Sequence, residues 1–330
     1  MKQDRIKKYL LKYMEEFVFD ELSSAYLEKA GLSDTLAGVS IPLKEDDLRA
    51  FLADGNVDIS LASGNMVRVL GIDPQFAYAN SYVKCILKVF GDKTLGILNQ
   101  GAVSLANRKE FEEACIYFRA ALAIEKENLD AMYGYIRVLG DLYNNSTDED
   151  YVGNFKAECL EYLERIIDVY PHFSQGWYLL GYMYLNLGLY IKAQLAWERF
   201  VIEADDGFDE DKREIAKRMK QIAVPIEIEK GYNAVLSGKW DDGILLLEKH
   251  RNGEYDDWWP LWYYLGVAYV NTDRVAEAEE AFKEALRGNP RHTQSMLALI
   301  DIYDEAGEEE LVQKYLSKID LIRYDLENKN

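Results

Sequence analysis

Three histidines, three cysteines and several acidic runs are the side chains in this 330-residue sequence that could do chemistry. His172, His250 and His292 are far apart, and three scattered imidazoles make neither a metal site nor a His-dependent triad unless the chain folds back on itself. Cys85, Cys115 and Cys159 are odd in number and contain no C-x-x-C. They form neither a disulfide framework nor a zinc site, and they suit a reducing compartment. The phosphate-cradling G-x-x-x-x-G-K-[ST], the dinucleotide G-x-G-x-x-G and the nucleophile elbow G-x-S-x-G are all missing. Carboxylates cluster at Glu277, Glu279 and Glu280 and at Glu308, Glu309 and Glu310, the pattern of a solvated helix face. Those at Asp148, Glu149 and Asp150 lack the D-x-D-x-D-G order of a calcium loop. The expectation is a protein that is not an enzyme and holds no cofactor or metal.

Charge narrows the partner. The formal net charge is -20 and the pI about 4.7. Residues 1–93 hold 12 Lys/Arg and 14 Asp/Glu, so residues 94–330 carry -18. A field of that sign repels phosphate backbones and anionic lipid, so neither nucleic acid nor membrane is expected as a partner. No signal-peptide core and no run of 18 apolar residues is present, which points to the cytoplasm. Apolar residues make up 49% of the chain, enough for a large core, and 24 tyrosines outnumber 12 phenylalanines. Tyrosine suits half-buried helix seams and binding faces alike.

The elements that must position these side chains come from one spacing. Trp262, Leu265, Gly266 and Tyr269 make the sticky face of one helix. Thr272-Asp273 is a turn, and Ala278, Phe282 and Ala285 line an answering helix that Pro290 closes. Small residues at Gly266 and Ala278 let the two helices approach. This pattern resembles the tetratricopeptide repeat, an eight-position signature over 34 residues. The resemblance implies an all-α fold, a right-handed superhelix of antiparallel helix pairs of the α-solenoid kind.

Sliding the register along the chain extends the resemblance over residues 94–330 as six repeats: 95–128, 129–173, 174–207, 224–258, 259–292 and 293–326. The second holds an 11-residue polar insertion near 142–153, read as a surface excursion. An extra helix over 209–222, capped at Asp209, separates the third from the fourth. Residues 1–93 read as a helical cap. Ile6 to Leu27 has helical spacing ending near Gly31, Thr35 to Pro42 is turn-like, and a helix from Pro42 stops at Asp54-Gly55-Asn56. Ala62, Met66, Val69 and Pro74 copy a second helix in degenerate form.

In the family that this spacing resembles, first helices line a concave groove for peptides. The groove-facing places fall at Asn99 and Val103, Tyr133 and Arg137, Tyr178 and Tyr182, Ile228 and Tyr232, Tyr263 and Val267, and Leu297 and Asp301. The family's carboxylate clamp is lacking: only Asn99 and Arg137 are similar, and its supporting places hold Gly134, Gln175 and Leu179. What remains is a tyrosine-lined face with Tyr133, Arg137, Tyr178, Tyr182, Tyr232, Tyr263 and Val267 as its binding residues, unless those rings pack on neighbouring helices. Trp177 and Trp262 go to the core, while Tyr264 and Trp259 fall on the rim or in the seam. The function expected is a non-enzymatic scaffold for an extended peptide or a partner helix. The alternatives are a peptide-sensing receptor of the bacterial pheromone type, or an accessory subunit of an enzyme complex. A DNA-reading amino-terminal region fits poorly, because Arg49 and Arg68 sit among acids.

Overall fold

The computed structural model describes residues 4–45, 48–49 and 57–327. They fall into two compact units, Met1–Leu180 with Ile202–Ala204, and Gly181–Val201 with Asp205–Asn330. Helices dominate both. In the first unit lie α1 (Lys7–Leu10), α2 (Ser24–Ala30), α3 (Ser33–Leu36), α4 (Ile59–Ile72), α5 (Ala79–Phe90), α6 (Thr94–Asn107), α7 (Phe111–Ile124), α8 (Leu129–Asn144) and α9 (Glu149–Val169). Helix α10 (Ser174–Asn186) begins there and ends in the second unit, which holds most of α11 (Tyr190–Glu203). The second unit continues with α12 (Asp209–Gln221), α13 (Ala223–Leu236), α14 (Trp240–Leu247), α15 (Trp259–Val270), α16 (Val275–Gly288), α17 (Thr293–Glu305) and α18 (Glu309–Glu327).

From α6 onward the helices come as hairpins, and two local devices recur. The first closes the turn between partners. Lys109, Gly188, Gly238, Asp273 and Gly307 all have φ between 58° and 75°, and each is the fifteenth residue of its repeat. The next backbone N–H reaches back to the eleventh carbonyl, as Arg274 does to Tyr269 at 2.8 Å and Glu308 to Tyr303 at 2.8 Å. That left-handed exit satisfies helix-end carbonyls and reverses the chain. The second device sets the spacing between partners. A Cβ on Gly181, Gly231 or Gly266 would lie 2.2–2.6 Å from Trp197, Leu247 or Phe282, each sixteen residues further on. The small residue is therefore the floor on which the large one rests.

The amino-terminal region departs from the helical reading. Residues Ile6 to Leu27 break into α1, a 3-10 turn over Leu11–Glu16 and the strand β1 (Val18–Glu21). Strand β2 (Ser40–Leu43) takes the stretch expected to be a turn and pairs with β1 antiparallel, with Phe19 opposite Pro42. Pro42 lacks an N–H, which a two-stranded ribbon tolerates because each strand has an open edge. Ile41 and Leu43 are fully buried, and Tyr82 donates its hydroxyl to the Ser40 carbonyl at 2.6 Å. The helix start at Pro42 is thus replaced by strand, while its stop at 54–56 lies outside the described residues. The stop at Gly31 is present, with φ of 66°.

The insertion also differs from the surface excursion expected of it. Only residues 145–148 form a turn. The rest lengthens α9, which Asp148 caps through the N–H groups of Asp150 and Tyr151. Its added turns carry Tyr151 stacked on buried Phe155 at 4.1 Å, and Tyr9 packs edge-on against Tyr151. Lys8 and the Tyr9 hydroxyl both reach Asp150 at 2.6 Å. The extra turns therefore grip residues 4–17, which run across α4, α7 and α9. Arg5 pairs with Glu161, Lys7 with Asp73, Lys12 with Glu112 and Glu16 with Arg68.

The deepest of these contacts is Asp4 with Arg119, at 2.5 Å. Arg119 is buried on α7, and its Nε donates to the Gly71 carbonyl at 2.6 Å. Burial pushes the Asp4 carboxyl up, and the Arg119 charge and hydrogen bonds outweigh it, leaving the pKa below the ordinary value. An unpaired buried guanidinium is costly. Asp4→Asn should therefore lower stability by about 3 kcal/mol in urea unfolding at pH 7. A depressed carboxyl pKa contributes stability above its unfolded value of 3.8 that is lost as pH falls through the folded value. The gap between wild type and Asp4→Asn should accordingly narrow below pH 4.

Candidate binding grooves

In the first unit, two successive repeats bring their groove-facing places together. Asn99 and Val103 on α6 and Tyr133 and Arg137 on α8 line one groove of about 560 Å³, with Phe118 and Asp130. Each wall is fixed from below. The Phe118 ring lies 2.2 Å from where a Cβ of Gly134 would stand, so only glycine lets α8 close on α7 there. Asn99 donates to Asn128 Oδ1 at 3.1 Å, and that same oxygen caps α8 through the N–H of Ala131. This leaves the Asn99 carbonyl oxygen buried and, among the described residues, without a hydrogen-bond partner. Tyr133 packs edge-on against Phe173, with ring centres 5.3 Å apart. The Arg137 guanidinium lies 6.0 Å from the Tyr133 ring and has no carboxylate partner among the described residues. Val103 is half exposed on the groove floor.

Tyr178 is half-buried on α10 in the first unit. In the second unit the remaining expected residues are spread over several contacts. The Tyr182 hydroxyl donates to Glu214 of α12 at 3.0 Å, and its ring meets Trp197 edge-on. Tyr232 stacks on Tyr264 at 4.9 Å, Tyr264 meets Tyr263 at 5.1 Å, and Tyr263 meets His292 at 4.7 Å. Tyr264, left between rim and seam by the sequence, is thus the link that ties the first helices of two repeats. Val267 lines a separate pocket with Asp301, between α15 and α17.

Several residues of these walls were missed by the repeat template. Gln100, Ser104 and Asn107 on α6 and Ala298, Ile302 and Glu305 on α17 all line them. The signal was present as two stripes with i, i+4 and i+7 spacing, each beside a template position. Trp177 differs from its core assignment: it is half-buried, and its Nε1 donates to the Pro171 carbonyl at 2.8 Å. Trp262 is buried, and Trp197 is buried completely.

The histidines are engaged structurally. His172 meets Glu203 at 2.7 Å, and His250 meets Glu227 at 3.1 Å. His292 caps the start of α17. Its Nδ1 accepts from the Ser295 N–H at 3.3 Å, and its ring lies 4.3 Å from that of Trp259. The cysteines are buried, and burial pushes the Cys115 and Cys159 thiols up to about 12, far from a reactive thiolate. Among the described residues no group of three His, Cys, Asp or Glu is placed to hold a metal ion. None of their helices is long and apolar enough to cross a membrane.

Hairpins of this kind, repeated with one turn geometry and one floor-and-ring contact, define a helical-repeat protein. Residues 259–292 match the family model of the tetratricopeptide repeat. That segment is a tetratricopeptide repeat, and the neighbouring hairpins share its plan. No curated protein sequence matches the chain. Among solved structures, MamA is 15% identical over 55% of this chain and 96% of its own, with a TM-score of 0.29. The P58(IPK) TPR domain is 15% identical over 68% and 59%, with a TM-score of 0.40. YrrB, described as a TPR protein with an unusual peptide-binding site, is 17% identical over 66% and 98%, with a TM-score of 0.32.

Burial holds the His292 pKa below its ordinary value. A depressed histidine contributes stability that is full above the unfolded value of 6.5 and declines as pH falls towards the folded value. His292→Asn keeps an N-cap acceptor without a titrating group. Thermal melts at pH 7 and pH 5 should therefore show a smaller acid loss for His292→Asn than for wild type.

Proposed function

We propose that this protein is a non-enzymatic interaction scaffold that holds an extended peptide or a partner helix against the first-helix faces of its repeats. The observation that carries the reading is the convergence of Asn99, Val103, Tyr133 and Arg137, from two successive repeats, on one open groove. The groove combines what peptide recognition asks for. It has an apolar face at Val103, an aromatic wall at Tyr133, and a guanidinium at Arg137 whose capacity the fold does not use up. The contacts of His172, His250 and His292 and the burial of the thiols fit the non-enzymatic reading.

The tyrosine face has a more divided role in this reading. Tyr133 is the ring offered to a ligand, and Arg137 beside it selects acceptors. Tyr232 and Tyr263 hold neighbouring repeats in register through Tyr264, and Tyr182 braces α12. The test is a capture experiment with the full chain as bait, comparing wild type with a Tyr133→Ala/Arg137→Ala variant. The partner retained by wild type should be lost at least tenfold with the variant, at unchanged helical content. Equal retention by the variant would remove this groove from the binding surface.

A further inference from the structure

The pocket between α15, α16 and α17 in the second unit has a character the repeat signature does not dictate. It encloses about 200 Å³, room for one large side chain. Its floor is Phe282, with Val267, Ala298 and Ile302 as walls. Two of its lining residues, Val270 and Val275, are 42% and 47% exposed, so an apolar opening stands uncovered at the surface. Asp301 and Glu305, one turn apart on α17, also line it. Neither has a basic partner among the described residues, and residues 301–310 contain six acids and no Lys or Arg.

Those two carboxylates stand where the helix itself disfavours them. They occupy the last turns of α17, the negative end of its dipole. In the neighbouring hairpins Glu279 pairs with Lys283, and Glu248 and Glu277 with Arg274. Asp301 and Glu305 have no such pairing and line the apolar opening itself. An apolar hole beside two unanswered negative charges is complementary to one kind of segment.

We propose that this pocket takes a large aliphatic or aromatic side chain from an extended partner segment whose adjacent residues are Lys or Arg, paired with Asp301 and Glu305. The proposal rests on the scaffold reading above and names the partner's chemistry for the second unit. The apolar side chain displaces water from the hole over Phe282, and the flanking cations supply specificity and steering at the acidic rim. An acidic segment is excluded by repulsion from the same two carboxylates.

The experiment uses the full chain and short fluorescein-labelled peptides that differ only at their centre: Lys-Leu-Lys, Lys-Ser-Lys or Glu-Leu-Glu. Anisotropy titration should show the Lys-Leu-Lys peptide binding at least tenfold more tightly than the other two. Two variants separate the pocket from the general attraction of an acidic protein. Asp301→Asn/Glu305→Gln removes the rim charges, and Ala298→Trp fills the hole; each should weaken Lys-Leu-Lys binding roughly tenfold. If Ala298→Trp fails to fold, the rim variant, whose changes lie on the surface, decides alone. Equal affinity for Lys-Leu-Lys and Lys-Ser-Lys, binding unchanged by the rim variant, or no binding of Lys-Leu-Lys would overturn the proposal. Tighter binding of Glu-Leu-Glu would overturn it too, while leaving the scaffold reading intact. That reading has its own readout, the loss of capture in Tyr133→Ala/Arg137→Ala.

Discussion

Everything downstream of the hairpins depends on one contact, a small residue seated beneath a large one sixteen positions later. Gly181 under Trp197, Gly231 under Leu247 and Gly266 under Phe282 leave no room for even a methyl group. Ala102 and Phe118, both buried, stand at the same separation in the first unit. The contact sets how closely partner helices lie, and with the left-handed turn between them it fixes which faces point away from the seam. Those faces carry Val103, Tyr133 and Arg137 in one unit and Val267, Ala298 and Asp301 in the other. The grooves are therefore a consequence of packing geometry, and the side chains that line them are free to vary in chemistry.

That freedom is visible in the two grooves, one lined by both Arg137 and Asp130 and the other by acids alone. The first unit presents Arg137 without an acidic partner, the second Asp301 and Glu305 without a basic one. In the segment 4–17, by contrast, charges are answered within the chain. The basic residues of the segment 4–17 are answered by Glu161, Asp73, Asp150 and Glu112, and the buried Arg119 guanidinium is answered by Asp4. Net charge alone predicts solubility and repulsion of phosphate. The local imbalances, not the total, mark where a partner's charge is missing.

The sequence made the repeats legible because their packing is local. Residues sixteen apart touch across one turn, so their spacing survives in the primary structure as Gly266 and Phe282, or Gly181 and Trp197. The groove positions Asn99, Val103, Tyr133 and Arg137 followed from the same register. What escaped was long-range. Val18–Glu21 pairs with a strand some twenty residues away, and Val18 and Leu22 lie four apart, a spacing that imitates a helix. The insertion looked like a loop because its polar turn, Asn144 to Asp148, masked the Tyr151, Phe155 and Cys159 stripe that follows at helical spacing. That stripe packs on Tyr9, more than 140 residues earlier, a contact no local pattern records. Likewise Tyr264 could be placed only once Tyr232 was seen stacked on it.

The central claim is that a close glycine contact, more than helix propensity, determines the hairpins built on Gly181, Gly231 and Gly266, and Gly266→Ala tests it by sign. In a helix interior, replacing Gly by Ala ordinarily stabilises by about 0.5–1 kcal/mol. Here the added Cβ would meet the Phe282 ring, which is almost fully buried and cannot retreat without repacking. Overpacking of that kind costs about 1–3 kcal/mol. Urea unfolding of Gly266→Ala should therefore show a net loss of roughly 1–2 kcal/mol, partly restored when Phe282→Leu is added. A Gly266→Ala protein more stable than wild type would contradict the account.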